Sequence, residues 1–254
     1  MAKETRLDSG PAMIGNPRSG PVVDWSSGAP RSARYGDIYH SASGAVAQAR
    51  HVFLAGCDLP AAWADASIWN VLETGFGLGL NFLALLEALR RDPRRPQRLR
   101  FVSVEAHPVA AGDIRRAGEL AGVAIATSAG ELADRWPTPV PPEIRLDFDD
   151  GRVQLRVLVG EAAERLQALQ GGGFRADSIF LDGFSPARNP EMWSRQTLGA
   201  TAACARSGSR LATWTVAGEV RAALAELGFI LQRRSGLPPK RHCLQGVYRE
   251  PPAT

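Results

Sequence analysis

The chain has 254 residues, of which 44% are hydrophobic, and this is long and apolar enough for one large domain with a sizeable core. The formal net charge is only +4, and every basic residue except Lys3 and Lys240 is Arg, so the charge indicates an RNA partner only weakly. The three cysteines are odd in number and widely spaced, which argues against a disulfide framework and against a metal site of the zinc type. The first residues lack an apolar signal core and no run approaches the ~18 residues of a membrane span, so we expect a cytoplasmic protein without a membrane partner.

The N-terminal part of the chain predicts a flexible arm followed by an addition to the main domain. Residues 1–30 are rich in Gly, Pro and Ser, which is typical of a loose arm, and its end is expected to join a strand. The main domain is predicted to span 31–250, with about 31–65 as an N-terminal addition on the substrate side. Within it, Tyr35 and Tyr39 are candidate substrate contacts because tyrosine combines an apolar ring with a polar tip, although ordinary packing explains them as well.

The stretch from Val71 to Leu83 predicts a buried strand, a glycine-rich turn and the start of a helix. Glycines at such a turn adopt backbone angles that other residues avoid, and they let a ligand approach the main chain closely. The candidate cofactor-binding residues of this stretch are Glu73, Thr74, Gly75, Gly77, Gly79, Asn81 and Phe82.

The spacing of the glycines distinguishes between two cofactors. A dinucleotide fingerprint, G-x-G-x-x-G/A, requires a small third residue where this chain has Leu80 or Phe82. The observed E-x-G-x-G-x-G is common in S-adenosyl-L-methionine (SAM) methyltransferases, in which Glu73 would meet the methionine ammonium. Glu105, at the end of the next predicted strand, is placed to hold the ribose hydroxyls. The pattern favours SAM, while a dinucleotide or a purely structural turn remain as alternatives.

The rest of the chain alternates predicted strands and helices, which indicates a Rossmann-like α/β fold with a mostly parallel sheet and an antiparallel edge. The predicted helices begin at Leu80, Pro108, Ala162 and Gly218. The predicted strands include 144–148, 153–159, 210–215, 229–233 and 242–249, and the first two form a hairpin.

Further candidate site residues follow the later predicted strands. Glu161 lies where an acidic residue would contact adenine, although a helix N-terminus favours a Glu equally. Asp182 follows a buried strand at the sheet edge where ligands bind in open α/β folds, so it is the candidate catalytic residue and a cofactor contact. His107 is predicted to be a surface residue beside the cofactor. The remaining candidate substrate contacts are Phe184, Pro186, Arg188, Asn189, Lys240 and Arg241, of which the charged ones, with Arg31 and Arg34, are candidates for phosphate contacts or simply solvated.

Together these stretches resemble one family: the methyltransferase part of the bacterial bifunctional tRNA-modifying enzyme MnmC and its stand-alone form MnmD. The likeness runs from about Arg31 to Tyr248 and includes YGDIYHS, HVFLAG, ETGFGLGLNFL, LDGFSPARNPEMW and KRHCLQG. The resemblance implies a class I SAM-dependent enzyme that converts 5-aminomethyl(-2-thio)uridine at the tRNA wobble position to 5-methylaminomethyl(-2-thio)uridine. It implies SAM as cofactor, with S-adenosyl-L-homocysteine as product, no FAD and no metal. The expected partner is the anticodon region of tRNA, met by a monomer whose substrate is made by upstream enzymes, since the flavin-dependent oxidase half is expected to be missing.

Four positions depart from the family pattern. Leu78 stands where Thr is usual, Gly36 where Asp is usual, Ala106 where Lys is usual and Glu161 where Asp is usual. None of these changes removes a carboxylate from the predicted cofactor site, but the change at Gly36 bears on contacts with tRNA.

The working hypothesis is that Asp182 accepts a hydrogen bond from the substrate amine and takes or relays its proton. Two alternatives stay open at this stage. The first is a SAM-dependent methyltransferase of a small-molecule amine, and the second is a non-catalytic SAM-fold protein that binds tRNA. The presence of Glu73, Glu105 and Asp182 argues against the second alternative.

Overall fold

The structure is a computed structural model that describes residues 22–39 and 44–250, so most of the predicted arm, residues 1–21, lies outside the described ranges. The strands are β1 (Val23–Asp24), β2 (Arg31–Ser32), β3 (Ile68–Thr74), β4 (Arg98–Glu105), β5 (Glu143–Phe148), β6 (Val153–Val159), β7 (Ala176–Leu181), β8 (Ala205–Thr213), β9 (Phe229–Ser235) and β10 (His242–Tyr248). The α-helices are α1 (Ala45–Gln48), α2 (Leu80–Arg91), α3 (Ala111–Leu120), α4 (Val123–Asp134), α5 (Ala162–Gly171), α6 (Arg195–Ala203) and α7 (Gly218–Glu226). Shorter helical turns span Ala49–Leu54, Ala55–Cys57, Ala61–Trp63 and Pro190–Trp193.

Eight strands form one sheet in the order β5-β6-β4-β3-β7-β8-β10-β9. The central strands β6, β4, β3, β7 and β8 are parallel, which confirms the predicted mostly parallel sheet. Antiparallel strands lie at both edges: β9 and β10 form one edge, and β5 and β6 form the predicted hairpin at the other. The second edge arises because β5 and β6 are joined by a tight turn, and a connection of that length can only reverse the chain. The strand order reverses direction beside β3, which creates a crevice where β3 and β7 end.

Apolar side chains cover both faces of the sheet, as a parallel sheet requires. Along β7, Phe180 packs into the cluster that contains α2 and α4, while Ile179 and Leu181 pack into the cluster that contains α5, α6 and α7. Alternate strand residues thereby anchor two helical layers, and the strand ends are held in place between them.

The described residues before position 31 form part of a short hairpin that packs on the main domain. β1 pairs with β2 in a separate two-stranded sheet, so the end of the predicted arm does join a strand. The Trp25 indole donates a hydrogen bond to Asp113 at 2.8 Å and packs under the Arg116 guanidinium, which ties this hairpin to α3. No helix within residues 22–39 and 44–250 is long and apolar enough to cross a membrane.

The main helices differ from the prediction in three ways: one begins later than predicted, and neither α4 nor α6 was predicted. The helix predicted to open at Pro108 begins at Ala111, because Ala110 before it is extended with ψ 154°. The helix α4 was not predicted; it packs against α3 so closely that a Cβ on Gly118 would lie 2.1 Å from the Ala129 Cβ. Small residues permit this close approach, but they do not produce the wide apolar stripe by which an amphipathic helix is recognised in a sequence.

Candidate active site

A cavity of about 400 Å³ lies at the carboxyl ends of β3, β4 and β7. This volume falls within the range of small-molecule sites, and the position is the crevice where open α/β sheets bind ligands. Its floor and walls come from the glycine turn after β3, the residues after β4 and β7, the N-terminal addition and the turn before β10. The predicted site residues that line it are Arg34, Tyr35, Tyr39, Gly75, Gly77, Asn81, Glu105, Asp182, Phe184, Asn189 and Lys240.

The glycine turn forms one wall of this cavity. Gly75 and Gly77 have φ values of 76° and 53°, which L side chains rarely adopt. A Cβ on Gly75 would lie 3.4 Å from the Gly183 Cα, and a Cβ on Gly77 would lie 3.3 Å from the Tyr39 ring. The absence of side chains here therefore keeps open a cleft between the turn and its neighbours. Gly79 is different: it precedes α2, and a Cβ there would meet the Phe76 ring at 3.0 Å, so it serves the turn rather than the cavity.

After β4, Glu105 and His107 present polar atoms to the cavity. The Glu105 carboxylate accepts one hydrogen bond from the Gly77 N–H at 2.9 Å and one from the His107 N–H at 2.8 Å. Each carboxylate oxygen has further acceptor capacity. His107 is half-buried, and its Nε2 atom is buried without a hydrogen-bond partner among the described residues. A buried polar atom without a partner beside a cavity fits a ligand with polar groups.

Asp182 lies directly after β7 with its carboxylate held by three donors. Oδ1 accepts hydrogen bonds from the Gly183 N–H at 2.8 Å and the Trp214 indole at 3.0 Å, and Oδ2 accepts one from the Asn81 amide at 2.8 Å. Burial raises the pKa of Asp182 to about 6, although these hydrogen bonds and the positive charge of Lys240 oppose the rise. The carboxylate is thus fixed in orientation and remains ionised at neutral pH.

Glu73 lies beneath the cavity rather than in its wall. It is 1% exposed, and its carboxylate accepts hydrogen bonds from the Ser103 hydroxyl at 2.7 Å and the Asn81 amide at 3.0 Å. Burial raises the pKa of Glu73 well above its usual range, and the nearby charge of Asp182 adds to this effect. Because the same Asn81 nitrogen donates to both carboxyl groups, Glu73 orients the residue that orients Asp182. Glu73 does not line the cavity, so its direct contact with the methionine ammonium stays a prediction.

Two further candidates of the glycine stretch require correction. The Phe82 side chain is fully buried and packs against Phe101 and Phe148 at 5.3 Å, because this face of α2 lies on the sheet. The Thr74 side chain is also fully buried, and its hydroxyl joins the main chain of Asp182, donating to the carbonyl at 2.7 Å and accepting from the N–H at 3.0 Å. Thr74 therefore fixes the end of β7 relative to β3 instead of contacting a ligand through its side chain.

Aromatic rings form another wall of the cavity, and one of them, Tyr39, lies against Gly77 of the glycine turn. Phe184 packs against Tyr35 and Tyr39 with centroids 5.0 Å apart in each case. Burial raises the pKa of both tyrosines, so both hydroxyls stay protonated. Asp37 accepts a hydrogen bond from the Ser185 N–H at 2.9 Å, which joins the N-terminal addition to the loop after β7. The wall has the flat apolar surfaces on which a planar base could stack.

The remaining sequence candidates lie outside the lining. Pro186, Arg188 and Arg241 do not line the cavity, and both arginines are exposed. Glu161 is exposed before α5, so its predicted contact with adenine has no support from the lining and stays a prediction. Sequence reasoning missed Trp214, which follows β8 at the same sheet edge as Asp182 and was open to the same argument from strand ends.

A second concavity of about 550 Å³ lies at the other end of the sheet, where β4 and β6 begin. It is lined mainly by arginines and by the turn between β5 and β6. It lies at the amino ends of the parallel strands β4 and β6, away from the edge at which open α/β sheets bind ligands, so the smaller cavity is the candidate active site. Among the residues that the structure describes, no group of His, Cys, Asp and Glu is arranged to hold a metal ion.

Comparisons with known proteins show what this chain is similar to. A family model described as S-adenosyl-L-methionine-dependent methyltransferase matches residues 123–249, half of the chain. The "tRNA 5-methylaminomethyl-2-thiouridine biosynthesis bifunctional protein MnmC" of Delftia acidovorans is 50% identical over 233 residues, which cover 91% of this chain and 35% of that protein. The protein of the same name from Acidovorax sp. is 49% identical over 227 residues, which cover 89% of this chain and 35% of that protein. The chain thus spans about 35% of the length of these relatives.

The solved structure of MNMC2 from Aquifex aeolicus is similar over most of this chain. It superposes with a TM-score of 0.72 at 23% sequence identity, covering 92% of this chain and 72% of that one. At this identity the likeness bears on the fold alone, and it confirms the predicted Rossmann-like architecture.

Proposed function

Because this chain belongs to the S-adenosyl-L-methionine-dependent methyltransferase family whose members include the matching part of the MnmC proteins, we propose that it methylates a tRNA nucleoside. The acceptor is the primary amine of 5-aminomethyl(-2-thio)uridine at the wobble position, and the product is 5-methylaminomethyl(-2-thio)uridine. The names of the relatives, which state 5-methylaminomethyl-2-thiouridine biosynthesis in tRNA, support this substrate. We assign the methyltransferase domain to residues 31–250.

The observation that carries the proposal is the position of the Asp182 carboxylate. It lies at the junction of the glycine turn and the aromatic wall, with both oxygens oriented by donors from Asn81, Gly183 and Trp214. An acceptor amine bound against Asp182 would have the glycine turn on one side and Phe184 on the other. Amine methylation needs such an arrangement, because the amine nitrogen must lie in line with the methyl group and the sulfur that carries it.

The residues of the cavity fit SAM. The cleft left open by Gly75 and Gly77 accommodates a ligand against the main chain, and the Glu105 carboxylate has acceptor capacity for ribose hydroxyls. The unpartnered His107 Nε2 provides one more polar contact. When bound there, SAM supplies an electrophilic methyl group on a sulfonium. The chain's own task is to place a neutral amine opposite that methyl group.

Asp182 performs that task in our proposal. An aliphatic amine resembles Lys, whose reference pKa is ~10.4, and its protonated form has no lone pair with which to attack. The Asp182 carboxylate accepts a hydrogen bond from an N–H of the amine, which directs the nitrogen lone pair into the cavity. The carboxylate also receives or relays the proton that the nitrogen loses. The aromatic wall of Tyr35, Tyr39 and Phe184 excludes water and holds the uracil ring.

The direct test is methyl transfer from labelled SAM to two tRNA samples, one with 5-aminomethyluridine at the wobble position and one unmodified, without added flavin. We expect label only in the methylaminomethyl nucleoside of the first sample, identified after digestion. A third reaction offers free 5-aminomethyluridine. Transfer to the free nucleoside but not to tRNA would replace the proposal with a small-molecule amine substrate, and SAM binding without transfer to any of them would contradict an enzymatic role.

Exposed arginines near the mouth of the cavity are the proposed contacts with tRNA phosphates. Arg241 follows Lys240, and Arg188 lies in the loop after β7 close to Gly36. We expect Arg241→Ala and Arg188→Ala each to reduce the slope of log K against log salt concentration by about 0.7 to 0.9, one phosphate contact's share. The measurement is tRNA binding by filter retention or anisotropy across a salt series.

A matched control for this measurement is Arg94→Ala. Arg94 is exposed and forms a salt bridge with Asp65. It lies just before the amino end of β4, at the end of the sheet away from the cavity. Its removal should leave the slope unchanged. A slope equal to the unmodified protein's in Arg241→Ala or Arg188→Ala would remove that residue from the tRNA interface.

A further inference from the structure

Lys240 is an exposed residue at the rim of the cavity, but its ammonium lies against the Trp214 ring. It lies in the turn between β9 and β10, where its N–H donates to the Leu237 carbonyl at 2.8 Å and the Gly236 N–H donates to the Arg241 carbonyl at 2.9 Å. From this closed turn its ammonium reaches over the Trp214 ring, 3.2 Å from the centroid. A cation held against an indole face has a defined position, in contrast to a solvated lysine.

This ammonium lies beside the carboxylate of the proposed reaction. The edge of the same Trp214 ring donates to Asp182 Oδ1 at 3.0 Å, so one indole joins the lysine and the carboxylate. Lys240 nevertheless forms no ion pair within 4.0 Å with a carboxylate of the described residues. The electrostatic attraction of Asp182 and Asp37 reaches it without direct contact. The ammonium and the Asp182 carboxylate are therefore more than 4.0 Å apart, and both residues line the same cavity.

Asp182 alone would oppose the chemistry proposed for it. A carboxylate beside an amine favours the protonated amine, because opposite charges attract, and the protonated amine cannot attack. A nearby positive charge has the reverse effect on the amine. An amine within hydrogen-bond reach of Asp182 would be close to both charges. The positive charge of Lys240 would then lower the amine pKa that the Asp182 carboxylate raises.

We propose that Lys240 is a positioning residue whose positive charge, fixed on the Trp214 face, keeps the acceptor amine of the bound substrate in its neutral form. The inference rests on the proposed function and extends it to the protonation of the substrate. It also assigns Lys240 to the amine site instead of the phosphate contacts predicted from the sequence.

The charges around Lys240 agree with this role. Burial lowers the pKa of Lys240 to about 8, while Asp182 and Asp37 oppose the change, so the side chain remains mostly charged at neutral pH. The other groups of the cavity that carry or could gain charge are Arg34, Tyr35, Tyr39, Glu105 and His107. None of them is recorded in contact with the Lys240 ammonium, so the lysine is the cation placed at the Trp214 face.

The test measures the amine itself. An anticodon stem-loop carrying a ¹⁵N-labelled aminomethyl group at the wobble uridine is bound to the full chain with S-adenosyl-L-homocysteine, which prevents turnover, and the ¹⁵N shift is followed against pH. We expect Lys240→Met to raise the pKa of the bound amine by about one unit or more, as loss of a neighbouring like charge does. Lys240→Arg, which keeps a charge that cannot be titrated, should hold the pKa near the wild-type value.

A kinetic measurement follows the same change. In single turnovers with SAM, Lys240→Met should be slower by about tenfold or more near pH 7, and the difference should disappear only as the pH rises above the raised amine pKa. Arg94→Met serves as the control in the titration, because it removes an exposed positive charge that pairs with Asp65 and does not line the cavity.

Each outcome decides the matter. An amine pKa in Lys240→Met equal to that of the wild type, or a rise in Lys240→Arg as large as in Lys240→Met, would overturn the inference. If either of these results is found and the wild-type protein still methylates the stem-loop, the proposed function stands and only the role of Lys240 is lost. If the wild type binds SAM but transfers no methyl group to the stem-loop or to whole tRNA, both proposals fall together.

Discussion

Replacement of Asp182 by Asn is expected to lower the turnover number by a factor of about 10² to 10⁴ while SAM affinity changes little, because general bases contribute on this scale. Asn keeps the size of the side chain and one acceptor oxygen for Gly183 and Trp214. It can neither accept the proton of the amine nor attract it by charge. The measurements are single-turnover methyl transfer and SAM binding by calorimetry. An equal loss of turnover and SAM affinity would make Asp182 a cofactor ligand instead.

The stability of the Asp182→Asn protein gives a second check, with a sign that follows from the pKa. The folded-state pKa of Asp182, about 6, lies above the unfolded value, so the folded state binds more protons and its stability falls as pH rises from about 4 to 6. Asn removes this penalty but loses the hydrogen bond from Asn81, worth about 1 kcal/mol. At pH 8 the free energy of unfolding of Asp182→Asn should therefore be no lower than that of the wild type.

Asp177→Asn is the matched control, since Asp177 is a buried carboxylate at the other end of the same strand. Its carboxylate pairs with Arg206 and accepts a hydrogen bond from the Asn70 N–H at 2.7 Å. Loss of charge there weakens a partly buried ion pair, so we expect reduced stability with turnover preserved. If Asp177→Asn lowers turnover as much as Asp182→Asn does, the defect reflects the strand and not the site.

The parts of the site that the sequence predicted correctly are those that depend on local patterns. Gly75 and Gly77 follow a strand and precede a helix, so the turn was recognisable within a dozen residues. Asp182 could be placed at the same edge because parallel strands end together. The alternation of strands and helices was enough to align these two segments, which lie more than a hundred residues apart in the chain.

The parts that could not be predicted depend on contacts between distant residues. Asp37 binds the loop after β7 across 148 positions of sequence, and no local pattern announces such a pair. Lys240 appeared as one more charge in a basic turn, because its direction is set by the fold of that turn against Trp214. Phe82 was assigned to the cofactor by its place in the motif, whereas the side of α2 on which it lies is decided by how that helix packs on the sheet.

The glycine turn can be tested by adding a single methyl group. Gly75→Ala places a Cβ 3.4 Å from the Gly183 Cα, in the cleft between the turn and the loop after β7, and its φ of 76° is unfavourable for Ala. We expect SAM affinity to fall by tenfold or more, since the ligand loses its approach to the main chain, and stability to fall by about 1–2 kcal/mol. Calorimetry and urea denaturation measure the two quantities.

Gly151→Ala separates backbone strain from the loss of the cleft. Gly151 lies in the turn between β5 and β6 with φ 80°, and a Cβ there has nothing within 4 Å. Because the strain is nearly the same, Gly151→Ala should lose a similar amount of stability and retain SAM affinity. If both variants bind SAM as the wild type does, the cleft beside Gly75 does not hold the cofactor; if both lose it equally, the defect comes from destabilisation and not from the turn.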